Sequence, residues 1–230
     1  MKGKLILIPT PIDDESPLCT IAKQRLEQAV LNDDLIMVEE AKAGRRRWLH
    51  FGLPRETIAD FILYNEHTRG EISSDIIKKI SNGKNAYLMS DCGLPAFCDP
   101  GQELVELCHQ HKIRVTATPF ANSIALAIAV SGFPHNKFIF EGFISAKKEI
   151  RHKELKRILN QKEVSIIMDT PYRLEKLLRE ITELNPSREF CLALDLNQET
   201  ETILRGNIKS FKSKLKSLKR EFVLVVGPKI

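Results

Sequence analysis

Short apolar runs alternate with segments of helical apolar spacing along nearly all of this 230-residue chain. Residues 4–8 form a Leu/Ile run that stops at Pro9-Thr10-Pro11. Residues 18–31 then place Leu18, Ile21, Ala22, Leu26, Ala29 and Val30 at helical intervals. Further strand-like runs fall at 35–38, 86–89 and 113–116, with helical patterns around Ala59-Ile62-Leu63, at 72–80 and at 105–111. Strands separated by helices imply βαβ units and a parallel sheet. The pattern breaks at Pro119-Phe120-Ala121-Asn122-Ser123 and restarts with an alanine-rich helix, 124–131, closed by Gly132 and Pro134. Strands at 138–140, 164–168, 190–196 and 222–226 follow, with helices near 148–159, at 174–184 and in a Lys-rich stretch, 208–218. The predicted fold is α/β, with two α/β domains, 1–118 and 119–230, and a ligand cleft between them.

The stretch 90–101, Ser-Asp-Cys-Gly-Leu-Pro-Ala-Phe-Cys-Asp-Pro-Gly, joins the run at 86–89 to the helix that follows. Its two prolines and two glycines hold the backbone where ordinary residues would not place it. Gly, Pro and Asp also mark plain connecting turns. A loop this long is usually functional, however, and in open α/β sheets ligands bind at the carboxyl ends of the strands. We therefore read it as a binding loop.

Composition restricts the alternatives. Hydrophobic residues make up 43% and charged residues 28%, the balance of an ordinary globular protein. A net charge of +5 permits an anionic partner without requiring one. The five cysteines are odd in number and show no Cys-x-x-Cys pair, so a reducing, cytoplasmic setting is expected rather than a disulfide framework. The mid-chain apolar run 124–130 is far shorter than the ~20 residues that cross a bilayer, and the start of the chain reads as a strand rather than a signal core. The six histidines and the cysteines lack zinc spacing, and no metal site is expected. Nucleotide-binding Gly-x-x-x-x-Gly-Lys and Gly-x-Gly-x-x-Gly patterns are absent, as is a Gly-x-Ser-x-Gly elbow; Ser90 has no histidine near it in sequence. Three basic clusters remain: Arg45-Arg46-Arg47 beside Trp48, residues 147–157, and residues 209–220. The first two read equally as phosphate contacts or solvated faces; the third reads better as a solvated helix face.

Thr10-Pro11-Ile12, the loop 90–101, Phe140-Glu141-Gly142-Phe143, Thr170-Pro171-Tyr172-Arg173, Leu204-Arg205-Gly206 and residues 221–226 occur in an order that resembles the tetrapyrrole methylase superfamily. These enzymes are S-adenosylmethionine-dependent methyltransferases, and the branch most similar is that of the small-subunit ribosomal RNA ribose 2′-O-methyltransferases. The resemblance spans nearly the whole chain. It implies a homodimer, two α/β domains with a cofactor cleft between them, and ribosomal RNA or the small ribosomal subunit as partner. By position, it implies cofactor contacts at Ile12, Asp91, Gly93, Leu94, Pro95, Ser123, Ile124, Met168, Asp169, Ala193, Leu194, Phe222 and Pro228. The amino end of the helix at Ser123 is expected to receive the methionyl carboxylate. Glu39, after the second strand, is the candidate base for an acceptor hydroxyl, and Arg45, Arg151 and Arg173 are the candidate phosphate contacts.

The chain departs from the ribosomal branch at several places. Asp13-Asp14 stands for Gly-Asn, Glu40-Ala41-Lys42 for Asp-Thr-Arg, Asn197-Gln198 for Thr-Lys, and Leu94 for a threonine. The departures lie mainly on the substrate side. Three readings thus stay open beside ribosomal RNA: a small anionic acceptor, a protein acceptor, and a non-catalytic cofactor-binding or dimerisation module.

Overall fold

A computed structural model describes residues 2–184 and 186–229. The chain divides after Phe120 into two compact units. The first contains β1 (Lys4–Ile8), α1 (Thr20–Leu31), β2 (Leu35–Val38), α2 (Ala41–His50), β3 (Ile62–Leu63), α3 (Arg69–Ser81), β4 (Ala86–Met89), α4 (Gln102–Gln110) and β5 (Arg114–Ala117). All five strands run parallel in the order β3-β2-β4-β1-β5.

Alternate residues of these strands feed two cores. Ile6, Ile8, Val38 and Met89 pack with Leu26 of α1 and Trp48 of α2. Leu5, Met37 and Leu88 pack with Ile76 and Ile80 of α3 and Leu104 of α4. Helices thus cover both faces, which is why the strands are apolar throughout rather than alternating.

Two expectations for this unit are corrected. The region around Ala59-Ile62-Leu63 is not a helix: a 3-10 turn, Arg55–Asp60, leads into β3, which pairs with Met37 and Val38. The helix lies earlier, in α2, which sequence reading took only as a basic cluster. Glu40 caps it by accepting from the Lys42 amide at 3.1 Å and the Ala43 amide at 2.8 Å. Gly44 lets α2 lie on the sheet, since a Cβ there would stand 2.8 Å from that of Val38.

The second unit contains α5 (Ser123–Ser131), β6 (Phe138–Phe143), α6 (Lys148–Asn160), β7 (Val164–Met168), α7 (Leu174–Glu183), β8 (Phe190–Leu194), β9 (Thr202–Gly206), α8 (Phe211–Lys214) and β10 (Phe222–Val226). The strand order is β6-β7-β10-β8-β9. Among paired neighbours only β6 and β7 are parallel; β10 runs antiparallel to β7 and β8, and β9 antiparallel to β8. The second sheet is mixed because β8 returns through the β9 strand and not through a crossover helix. β9 lies outside the strand runs predicted from sequence. The Lys-rich helix 208–218 is also shortened: a 3-10 turn, Ile208–Ser210, and α8 end at Lys214. Ile208 and Phe211 anchor that turn in the core, whereas the apolar residues beyond it, Leu215 and Leu218, are only partly buried.

No described helix is long and apolar enough to cross a membrane. Cys19, Cys98, Cys108 and Cys191 are free thiols.

Candidate functional site

The register of the first sheet aligns Ile8 and Val38 with Met89, so β1, β2 and β4 end side by side. The residues that follow them, Thr10 to Ile12, Glu39, and Ser90 to Pro95, are thereby gathered at one edge. Two connections lock the loops together. Thr10 and Gly93 exchange amide–carbonyl bonds of 2.9 and 3.0 Å, and the buried Thr10 hydroxyl donates to the Ser90 carbonyl at 3.1 Å. The Ser90 hydroxyl donates to the Gly93 carbonyl at 2.7 Å, which makes it a loop brace.

The loop backbone is held in an uncommon shape. Ala96 and Cys98 take positive φ values of 63° and 65°, and Gly101 stands at 132°. A Cβ on Gly101 would meet Leu88 Cδ2 at 2.7 Å. Gly93, at φ 84°, has nothing within 4 Å of a Cβ position, so open space lies beside it.

Arg47 forms the second connection, and sequence reading missed it. It projects from α2, only 3% exposed. Its Nε donates to the Asp91 carbonyl at 3.1 Å, Nη2 to the Ile12 carbonyl at 3.4 Å, and Nη1 to the Asp13 carbonyl. One guanidinium therefore ties the loop after β1 to the loop after β4. Asp14 pairs with Arg46 at 3.1 Å and with Arg47 at 3.4 Å, while Asp13 Oδ1 accepts from the Glu15 and Ser16 amides at 2.9 and 2.6 Å. The Asp13-Asp14 departure thus has a structural partner in Arg46 and Arg47. Nothing in the residue triplet marks Arg47 as the buried one; only its position on the inner face of α2 does.

Carboxyl groups concentrate at the same edge. Burial, then Asp91 and Asp99, push the Glu39 pKa up to about 7. Burial and Asp91 push that of Asp99 up to about 6. The Asp91 pKa is raised by burial too, and its Oδ1 is buried with no hydrogen-bond partner among the described residues. Ile12 is 40% exposed beside them. An apolar side chain, open space at Gly93 and an orphaned carboxylate oxygen fit a ligand that brings hydrogen-bond donors and positive charge. Among the described residues no group of His, Cys, Asp and Glu could hold a metal ion.

In the second unit the sequence candidates are divided. Asp169 follows β7 and is 3% exposed. It pairs with Arg151 at 2.8 Å and Arg173 at 3.2 Å, and Arg151 also meets Glu180 at 2.5 Å. Arg151 is fully buried, so its assignment to substrate phosphate is corrected: it holds Asp169 in place. Arg45 on α2 is exposed, and Arg173 is partly so. The side chains of Ala193, Leu194, Phe222 and Ile124 lie in the core, and Ala193 and Leu194 have no exposed surface. Met168 is only partly buried. Asn122 accepts from the Ile124 amide at 2.8 Å and the Ala125 amide at 3.3 Å, so the helix end at Ser123 is already capped from within the chain. Pro228 is corrected as well. β10 pairs Phe222 with Leu194 but Val226 with Phe190, which puts Pro228 beyond the opposite edge of the sheet.

Residues 4–212 match the family model of the tetrapyrrole (corrin/porphyrin) methylases. A ribosomal RNA small subunit methyltransferase I from Thermotoga maritima is 31% identical over 206 residues, covering 90% of this chain and 89% of that protein. Among solved structures, a diphthine synthase superposes with a TM-score of 0.66 at 12% identity, covering 99% of this chain and 90% of that one. A uroporphyrin-III C-methyltransferase from Thermus thermophilus, complexed with S-adenyl homocysteine, superposes with a TM-score of 0.55 at 12% identity, covering 98% and 97%. The structural likenesses concern the fold.

Proposed function

The chain belongs to the tetrapyrrole methylase family and is a methyltransferase, and from that premise we propose that it methylates a ribose 2′-hydroxyl of small-subunit ribosomal RNA with S-adenosylmethionine as donor. The observation that carries the cofactor assignment is the first sheet's edge, where Glu39, Asp91 and Asp99 crowd half-buried carboxyl groups beside the loop 90–101. S-adenosylmethionine supplies a methyl group activated on a positively charged sulfur. Asp91 Oδ1 would accept from a cofactor hydroxyl or amine, and Gly93, Leu94 and Pro95 would present main chain and apolar surface to it. Ile12 would cover an apolar part. The remaining cofactor assignments, Ser123, Ile124, Met168, Asp169, Ala193, Leu194 and Phe222, rest on the family pattern. Pro228 and Arg151 leave the set.

Glu39 is assigned the acceptor proton. Its raised pKa matches a base working near neutrality. Positioning supplies much of the remaining acceleration, because the donor is already activated. Arg45 and Arg173 keep their assignment to substrate phosphates. The reading includes a homodimer, from the family pattern, and a cytoplasmic setting, which the free thiols of Cys19, Cys98, Cys108 and Cys191 support.

The test has two stages. Calorimetric titration with S-adenosylmethionine should give saturable binding; none to a folded sample overturns the cofactor assignment. Small ribosomal subunits incubated with labelled S-adenosylmethionine, digested to nucleosides and analysed by mass spectrometry should yield a 2′-O-methylnucleoside. Label appearing on a base, or on ribosomal protein, overturns the ribose assignment.

A further inference from the structure

We propose that residues 214–220, together with Tyr172, form a docking surface for single-stranded RNA at one edge of the second sheet. The inference rests on the RNA reading above and says which surface would serve it.

Residues 214–220 precede β10. Because β10 is antiparallel to β7 and β8, with Val223 opposite Met168 and Phe222 opposite Leu194, this segment enters the sheet at the carboxyl ends of β7 and β8. That is the edge carrying Asp169 and the 3-10 turn Pro171–Arg173. A pocket of about 540 Å³ opens here, lined by Asp195, Thr200, Thr202, Lys214, Lys216 and Arg220 among others. Arg220 builds its floor: Nε meets Asp195 Oδ2 at 2.7 Å, and Nη1 meets the Thr202 hydroxyl at 3.1 Å. Thr200 donates to the same Asp195 oxygen at 2.8 Å.

The rim differs from the floor. Lys214, Lys216 and Lys219 are exposed, and among the described residues none forms an ion pair, whereas Lys212 is taken by Glu175 at 2.6 Å. Leu215 is the one apolar residue in the lining among those described, so the pocket has little to offer an apolar peptide. Tyr172 is 76% exposed, with the Lys219 ammonium 4.4 Å from its ring centroid. An unpaired basic rim beside an exposed, cation-backed aromatic ring matches a strand that offers phosphates and unstacked bases together. In the other two clusters Arg47 and Arg151 are buried and Arg46 and Arg157 pair with Asp14 and Glu141, while Lys147, Lys148, Lys153 and Lys156 are exposed; the Tyr172 ring under Lys219 is what distinguishes the 214–220 edge.

The experiment is fluorescence anisotropy with a labelled oligouridylate of about 20 nucleotides, long enough to span a single-strand site, across a salt series. Calorimetry with S-adenosylmethionine runs in parallel. The Lys214→Ala/Lys216→Ala/Lys219→Ala variant should lower the slope of log affinity against log salt by about 2, from roughly 0.7 per phosphate contact. Tyr172→Ala should weaken binding by about tenfold, the scale of one lost stacking contact, with its salt slope almost unchanged. Both variants should bind S-adenosylmethionine as the wild type does. A control pair on α6, Lys148→Ala/Lys153→Ala, should leave the slope unaltered. Equal losses in control and triple variants, or wild-type RNA binding by the triple variant, overturn this surface and leave the methyltransferase reading standing. A wild-type protein that binds S-adenosylmethionine but neither oligouridylate nor small subunits overturns the RNA reading, and this surface with it.

Discussion

Glu39 keeps a proton to about pH 7 because it is partly buried and faces Asp91 and Asp99. If it takes the acceptor proton, methyl transfer should rise as pH climbs through about 7 and then level, since only the ionised form accepts. Glu39→Gln should slow transfer by about 10²- to 10⁴-fold, the usual contribution of a positioned base, and abolish that rise while cofactor affinity stays near wild type. Unchanged turnover in the variant removes Glu39 from the chemistry. Arg47 acts differently, through three main-chain carbonyls. Arg47→Met should cost about 1.5–3 kcal/mol for each charge-assisted bond lost, less than additively, and should weaken S-adenosylmethionine binding by loosening both loops. Arg47→Lys should fall between, because an ammonium cannot span the carbonyls a guanidinium fork reaches. Wild-type melting and affinity in Arg47→Met would dissolve the clamp.

At the scale of elements, α6, α7 and the end of β7 are joined by charge as well as by apolar packing. Arg151 on α6 bridges Asp169 after β7 and Glu180 on α7, with Arg151 and Asp169 essentially buried. Removing one member leaves a buried charge without its partner, which typically costs about 3–5 kcal/mol. Arg151→Met should therefore lower the urea midpoint strongly, and the Asp169→Asn/Arg151→Met double variant should recover part of the loss. Additive effects in that cycle would show that the pair is uncoupled. The other elements follow simpler rules. Strand positions could be read from apolar runs and β-branched residues, and α7 from the spacing of its buried Leu174, Leu177, Leu178 and Ile181. β3 and β9 escaped because each is short or half-exposed at a sheet edge, where burial imposes no pattern on the sequence.

For the whole molecule, the acidic edge sets a pH dependence of stability. Glu39 and Asp99 have folded pKa values of about 7 and about 6 against ordinary values of 4.5 and 3.8. Between those limits the folded state binds more protons than the unfolded chain, so their contribution is greatest at the acid side and is lost as pH rises. Unfolding midpoints measured from pH 5 to 8, in the neutral range where such groups titrate, should fall more steeply for the wild type than for Glu39→Gln. Parallel curves would mean that Glu39 is not desolvated. Asp13, Asp33 and Glu175, whose pKa values are lowered by hydrogen bonds or lysine partners, act in the opposite sense below that window.

The amino-acid sequence alone determined the α/β class, the first parallel sheet, the Pro/Gly loop and the place of Glu39 after the second strand. Each depends on local composition and periodicity, which neighbouring residues suffice to specify. Only the tertiary structure decided that the second sheet is mixed, that Pro228 leaves by the far edge, and which arginines are clamps. Arg45 and Arg46 face water while Arg47 is buried, though all three look alike in sequence. A charge is buried only where distant loops bring carbonyls or carboxylates to meet it, and strand direction is set by how separate segments pair. Both are long-range facts, and no local pattern carries them.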